Sequence, residues 1–297
     1  MKDFFDKLFG KRKSAVLDVE TAPLSEEQLR SVSQVTVSYT PPQILVASGQ
    51  STGMQREHNE DTIFTLCSTL ANGENDIPFG VFIVADGMGG HQHGEVASSV
   101  ATRAMAEHVL KKLYYPMVGL RPQEQNESLQ EILEAGVREA HQTVHRRAPG
   151  GGTTLTTGLL LGEQILIAHV GDSRAYFIYP DGRMLQLTQD HSLVRRLVEL
   201  GQLTEAEAVV HPQRNVLYRA IGQNEPFHPD VNNFLFPHPG YMLICSDGLW
   251  GVLPDTDIFR IVNAAPNPSQ ACYELVQAAN NAGGPDNISV ILVQYVG

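Results

Sequence analysis

The chain has 297 residues, with 21 Lys and Arg against 33 Asp and Glu, for a formal charge of −12. That balance excludes the broad phosphate-tracking surface of a nucleic-acid binder and suits metal cations better. Three cysteines without C-x-x-C spacing indicate neither a disulfide framework nor a zinc cage, no apolar run approaches the roughly 18 residues of a membrane span, and the start lacks a secretory apolar core, so a soluble cytoplasmic protein is expected.

In chain order, residues 1–43 read as an N-terminal extension or linker: an amphipathic start, a polar segment "ETAPLSEEQLRSVSQ", then "TPPQ". Met1, Phe4, Phe5, Leu8 and Phe9 fall on one helical face ahead of Lys11, Arg12 and Lys13, the pattern of an interfacial helix or docking peptide. Thirteen residues are marginal as an isolated helix, so a disordered tail is preferred over membrane contact through residues 1–13. From Ile44 onward strand-like runs alternate with helical patterns. "TIFTLC" (62–67) is strand-like and "FGVFIVA" (79–85) is a buried strand. Apolar groups at helical spacing predict helices over 94–113 (Ala97, Val100, Ala101, Ala104, Leu113) and 129–144 (Leu129, Ile132, Leu133, Val137, Ala140, Val144). Four strands follow at 155–161, 165–170, 175–179 and 184–187, and their short connections require mostly antiparallel pairing. Residues 188–226 carry no strand pattern, but predict a helix near Ser192–Leu200 and a capping box at Thr204 and Glu207. A strand at 241–246, helices near 255–263 and 269–281, and a strand at 287–296 complete an α+β domain of antiparallel sheets.

The carboxylates carry the chemistry. Asp181-Gly182, between "AYFIY" and "MLQL", reads as an ordinary hairpin turn. Asp86-Gly87 ends an apolar run with no strand of matching pattern beyond it, and Asp247-Gly248 repeats that arrangement. Asp172 and Asp286 also sit at strand ends, each with glycine or proline close by. Turn chemistry explains any one of them. If antiparallel strands bring all of these ends to one rim, they form a hard-oxygen site for Mg²⁺ or Mn²⁺, whose charge offsets the mutual repulsion. "GMQREHNED" (53–61) adds Glu60 and Asp61, and Arg56, whose guanidinium matches two phosphate oxygens. Metals with arginine imply a phosphoryl substrate.

"RxxNED" (56–61), "ADGMGGHxxGE" (85–95), "GGTTL" (151–155), "HVGDSR" (169–174), "CSDGLW" (245–250) and "GPDN" (284–287) together resemble the metal-dependent PPM, or type 2C, serine/threonine protein phosphatases of bacterial type, over about residues 44–297. The resemblance implies two packed antiparallel sheets flanked by helices on both outer faces. It implies that Asp86 bridges two Mn²⁺ or Mg²⁺ ions, with the Gly87 carbonyl on one of them, Asp247 and Asp286 completing the ligands of the first ion, and Glu60, supported by Asp61, on the side of the second ion. A third, weaker site would use Asp172 with Asp247. Phosphoserine and phosphothreonine in proteins, including targets of a serine/threonine kinase, would be hydrolysed by a metal-bridging water, with Arg56 on the phosphoryl group. The sequence departs from animal members at Met88, which cannot donate a proton as their histidine is proposed to do. His91 is the substitute candidate, with a role in hydrogen-bonding a metal ligand equally open. Residues 188–226 correspond to the family's flap, where Arg195, Arg196 and Arg214 are either phosphoprotein contacts or solvated charges. A monomer is expected. A metal-dependent phosphodiesterase or nuclease is the main rival, disfavoured by the acidic charge, and a decayed binding module is disfavoured by the intact aspartates.

Overall fold

The computed structural model describes residues 41–71, 76–89, 92–119, 127–223 and 227–296. Residues 1–40 of the extension predicted at 1–43, and His91, lie outside the described residues.

Two five-stranded antiparallel sheets stack face to face, and a two-stranded ribbon pairs β4 (Gly87–Met88) with β5 (Gly152–Thr153). One has the order β1 (Gln43–Ser51), β12 (Ile288–Val296), β11 (Tyr241–Cys245), β8 (Arg174–Ile178), β9 (Met184–Gln186); the other has β10 (Asp230–Leu235), β7 (Gln164–Val170), β6 (Leu155–Leu161), β3 (Ile77–Ala85), β2 (Thr62–Leu70). Strand periodicity explains the layering. In β3, Phe79, Val81, Ile83 and Ala85 face a helical layer, while Phe82 and Val84 face the opposite sheet. In β12, Ile288, Val290 and Leu292 face helices and Ile291 and Val293 face inward. Successive side chains point to opposite faces, so a strand buried on both must be apolar throughout. This is why the sequence shows uninterrupted apolar runs here.

The first outer layer is α1 (Gln92–Val109) against α3 (Leu129–Arg147). The helix predicted to Leu113 is α1 followed by one π-helical turn, Leu110–Tyr114, and a short α2 (Tyr115–Val118). Ser128 and Glu131 form a capping box at the start of α3. Between β9 and β10 lie α4 (Leu193–Glu199) and α5 (Glu205–Val209), the latter with the predicted Thr204–Glu207 box. The second outer layer is α7 (Asp255–Ala264) and α8 (Pro268–Asn281), preceded by a single turn, α6 (Asp247–Trp250).

Two features differ from the sequence reading. All ladders among the four central strands are antiparallel, but β7 and β8 do not pair: the chain crosses from one sheet to the other through Gly171-Asp172-Ser173. Strand β10 carries Asn232 and Asn233, pairs only with β7, and gave no apolar signal. No helix among the described residues is long and apolar enough to cross a membrane.

Candidate active site

The strand ends meet at one edge of the sandwich, around a cavity of about 610 Å³ lined by Arg56, Glu60, Asp86, Gly87, Asp172, Asp247 and Asp286 among others. Asp86 follows β3, Asp172 sits in the crossing after β7, Asp247 opens α6 after β11, and Asp286 precedes β12. Each sheet contributes two of the four. Asp61 is not in the lining. It is buried beneath it, where Ser246 Oγ donates to its Oδ2 at 2.9 Å.

The supports of these groups are residues whose roles the sequence left unassigned. Thr154 and Thr153 clamp the Asp86 peptide: the Asp86 N–H donates to Thr154 Oγ1 at 2.9 Å, and its carbonyl accepts from Thr154 N and Thr153 Oγ1, each at 2.8 Å. Thr154 Oγ1 also lies 2.8 Å from Ser173 Oγ, beside Asp172. Asn287 fixes the Glu60 loop. Its Oδ1 accepts from Glu60 N at 2.8 Å, and its Nδ2 donates to the carbonyls of Thr52 and His58, each at 2.9 Å. Trp250 Nε1 donates to the Asp172 carbonyl at 3.0 Å, and the Arg174 guanidinium stacks 3.6 Å from the Trp250 ring centroid. Position 87 has room only for glycine, since a β-carbon there would overlap the carbonyl oxygens of Gly94 and Glu60.

Burial and mutual repulsion govern the electrostatics. Burial, then the charges of Asp61, Asp247, Asp172 and Asp286, push the Asp86 carboxyl well above its usual range. Burial and Asp247 do the same to Asp172. Asp247 is pushed up to about 6, by burial and then Asp286. Asp61 is pushed up to about 7, chiefly by burial. The one arginine in the lining, Arg56, donates to Asp286 Oδ2 at 2.6 Å, and that bond raises its own pKa. Asp247 Oδ1 is buried without a hydrogen-bond partner.

These observations fit divalent cations. The donors are all oxygens, their charges exceed what Arg56 can offset, Asp247 Oδ1 and, beneath the lining, Asp61 Oδ1 are buried without partners, and the backbone at Gly87 is open to close approach. Among the described residues no three acidic, histidine or cysteine side chains are drawn tightly enough together to form a finished metal cage. The carboxylates ring the cavity instead, and Asp286 is held by Arg56. Met88 lines the cavity too, with the Gln223 amide nitrogen 3.8 Å from its sulfur. From the 188–226 segment, Asn215 and Leu217 reach the cavity. Arg195 is paired with Glu205 and Arg196 with Glu199, while Arg214 is exposed.

A profile of the protein phosphatase 2C family matches residues 46–288. The serine/threonine phosphatase stp of Listeria welshimeri is 34% identical over 247 residues, covering 82% of this chain and 92% of that protein. The crystal structure of the Mycobacterium tuberculosis serine/threonine phosphatase PstP/Ppp is 30% identical with a TM-score of 0.69, over 84% of this chain and 98% of that one. The PstP catalytic domain in complex with two manganese ions is 29% identical with a TM-score of 0.68, over 86% and 100%.

Proposed function

Because this chain belongs to the protein phosphatase 2C family and is a metal-dependent serine/threonine protein phosphatase, we propose that its carboxylate-ringed cavity is where phosphoserine and phosphothreonine are hydrolysed. The observation that carries this reading is the convergence of Asp86, Asp172, Asp247 and Asp286, from four strand ends of two sheets, on one cavity beside Arg56. Two Mn²⁺ or Mg²⁺ ions are assigned to Asp86, the Gly87 carbonyl, Asp247 and Asp286, with Glu60 beside them and Asp61 bracing from below. Asp172 with Asp247 is assigned a third, weaker site. When bound, such cations lower the pKa of water and neutralise phosphoryl charge.

The chain's own groups do the remainder. Arg56 is exposed enough to leave Asp286 and grip two phosphoryl oxygens, orienting the phosphorus toward the carboxylates. Thr153 and Thr154 hold the Asp86 peptide, and Asn287 holds that of Glu60, so the acidic groups need no rearrangement as charge builds. Hydrolysis exchanges the ester P–O bond for one to water oxygen and returns a proton to the serine or threonine. His91 is assigned that proton, since Met88 has none to give. The rival phosphodiesterase reading loses ground because the lining offers one arginine among at least four carboxylates.

The reading extends to phosphorylated proteins, including targets of a serine/threonine kinase, handled by a cytoplasmic monomer whose catalytic domain spans 44–297. The test is a titration of Mn²⁺ and Mg²⁺ against a phosphothreonine peptide and a phosphodiester. Activity on the peptide alone, abolished by EDTA, is expected; full activity in EDTA would overturn the metal assignment, and preference for the diester would overturn the substrate.

A further inference from the structure

Two parts of the cavity wall that are far apart in sequence meet at one buried residue, whose ring holds one of them and whose main chain bonds both. His191 is 1% exposed, between the end of β9 and the start of α4. Its N–H donates to the Gly171 carbonyl at 2.7 Å, and Gly171 N–H donates back to His191 Nδ1 at 3.0 Å. Both peptide groups of the residue before Asp172 are therefore held by a single residue. Only glycine fits at position 171: its φ is +108°, and a β-carbon would press on the Thr154 side chain.

The same residue anchors the segment that carries Asn215 and Leu217. The His191 carbonyl accepts from Tyr218 N at 2.9 Å, Leu193 N donates to the Val216 carbonyl at 2.7 Å, and Ser192 bridges Leu217. On the far side of the ring, Nε2 lies 3.0 Å from Asp230 Oδ2. Because Nδ1 accepts from a peptide N–H, the ring proton is assigned to Nε2, facing Asp230, with Arg219 Nη1 also 3.1 Å from that nitrogen. Arg219 Nη1 holds the other oxygen of Asp230 at 2.8 Å. The His191 bond first, and then the charge of Arg219, hold the Asp230 carboxyl down to about 2. Asp230 opens β10, opposite His169 of β7, whose ring centroid is 4.9 Å from that of His191.

We propose that His191, aimed by Asp230, is a positioning residue for the phosphatase reaction, setting the Asp172 loop and the Asn215–Leu217 wall in one register on either side of the cavity. The proposal rests on the reading of that cavity as the phosphatase site. A polypeptide substrate spans the cavity and meets both walls; a small aryl phosphate meets only the phosphoryl-binding floor. Loss of His191 thus degrades peptide handling first, a split that simple loss of stability does not produce.

The test compares a phosphothreonine peptide with p-nitrophenyl phosphate on the full chain in Mn²⁺. For His191→Phe, an about tenfold rise in peptide KM, equivalent to about 1.4 kcal/mol, is expected, with kcat/KM for the aryl phosphate within about twofold. His191→Asn, which keeps an acceptor near Gly171, should recover part of the peptide KM. Amide exchange should accelerate at Gly171, which loses its bond to the ring, and with it at Tyr218, whose bond to the His191 carbonyl depends on the ring holding that peptide in place. If His191→Phe does not fold, Asp230→Ala, at a partly exposed position, should show the same split in milder form. Equal losses on both substrates, no change on either, or unchanged exchange at both amides would overturn the proposal. A wild-type protein inactive on both substrates in Mn²⁺ would instead overturn the site reading beneath it.

Discussion

Asp247→Asn should make the metal-free protein more stable while destroying its activity. The carboxyl of Asp247 is pushed from the usual 3.8 up to about 6, by burial first and by Asp286 second. A group whose pKa is raised on folding binds its proton more tightly in the folded state. Stability is therefore intact below the unfolded pKa and falls as pH rises through about 6. A gap of about two units corresponds to about 3 kcal/mol lost on ionisation. Asparagine has nearly the same shape and never ionises, so it recovers up to that amount at pH 8 and almost none near pH 4. In a domain of this size, about 3 kcal/mol is worth about 6–12 °C in Tm. The assay is urea or thermal unfolding in EDTA across that pH range. Saturating Mn²⁺ should then stabilise the wild type more than the variant, because binding to the folded state alone adds stability and the variant has lost a ligand. An asparagine variant no more stable than wild type at pH 8, or equally stabilised at pH 4.5, would refute the reasoning.

Gly87→Ala should cost at least about 1–3 kcal/mol and abolish turnover, because the atoms its β-carbon meets are the backbone carbonyls of Gly94 and Glu60, which cannot swing aside; normal activity would show that this loop yields. Arg56→Ala should raise KM for phosphopeptide and weaken inhibition by inorganic phosphate in parallel, while an unchanged KM would place Arg56 outside the phosphoryl site. Asp172→Ala should lower phosphopeptide hydrolysis yet leave two tight Mn²⁺ sites in calorimetric titration; loss of all binding would make Asp172 a ligand of the tight pair. Gly182→Ala should cost about 1 kcal/mol for its φ of +98° and leave activity unchanged, as kinetics and unfolding of one preparation can show.

What was legible in the sequence follows from how locally each feature is determined. Strands β3, β6, β7, β11 and β12 announced themselves because helices cover one face and a second sheet covers the other. Strand β10 did not, because it is an edge strand whose polar Asn232 and Asn233 interrupt its pattern. The crossing at Gly171-Asp172-Ser173 was invisible for a different reason. A three-residue link between apolar runs is equally consistent with a hairpin and with a step to the other sheet, and only packing decides. The clamps were missed because their partners are remote: Thr154 meets Asp86 across 68 positions, and Asn287 meets Glu60 across 227. Asp61 could have been separated from Glu60 by alternation, since neighbours in an extended segment point to opposite sides. Glu60 lines the cavity and Asp61 goes beneath it.

The two Asp-Gly pairs show what distinguishes a turn from a site. Asp181 is answered within its own turn: its carboxylate accepts from Arg183 N at 3.1 Å and from Arg183 Nε at 2.7 Å, and those bonds hold its pKa below the usual range. Asp86 has its peptide answered by Thr153 and Thr154, while its carboxyl is driven up by burial first and then by the charges of Asp61, Asp247, Asp172 and Asp286. An aspartate placed for turn geometry is stabilised in its charged form by its neighbours in sequence. One placed for a ligand is destabilised in that form by neighbours in space, and that unanswered charge is what a cation binds. The dipeptide is identical in both cases. The absence of a local cation at Asp86 and its presence at Asp181, two residues on, is the difference the sequence already carried.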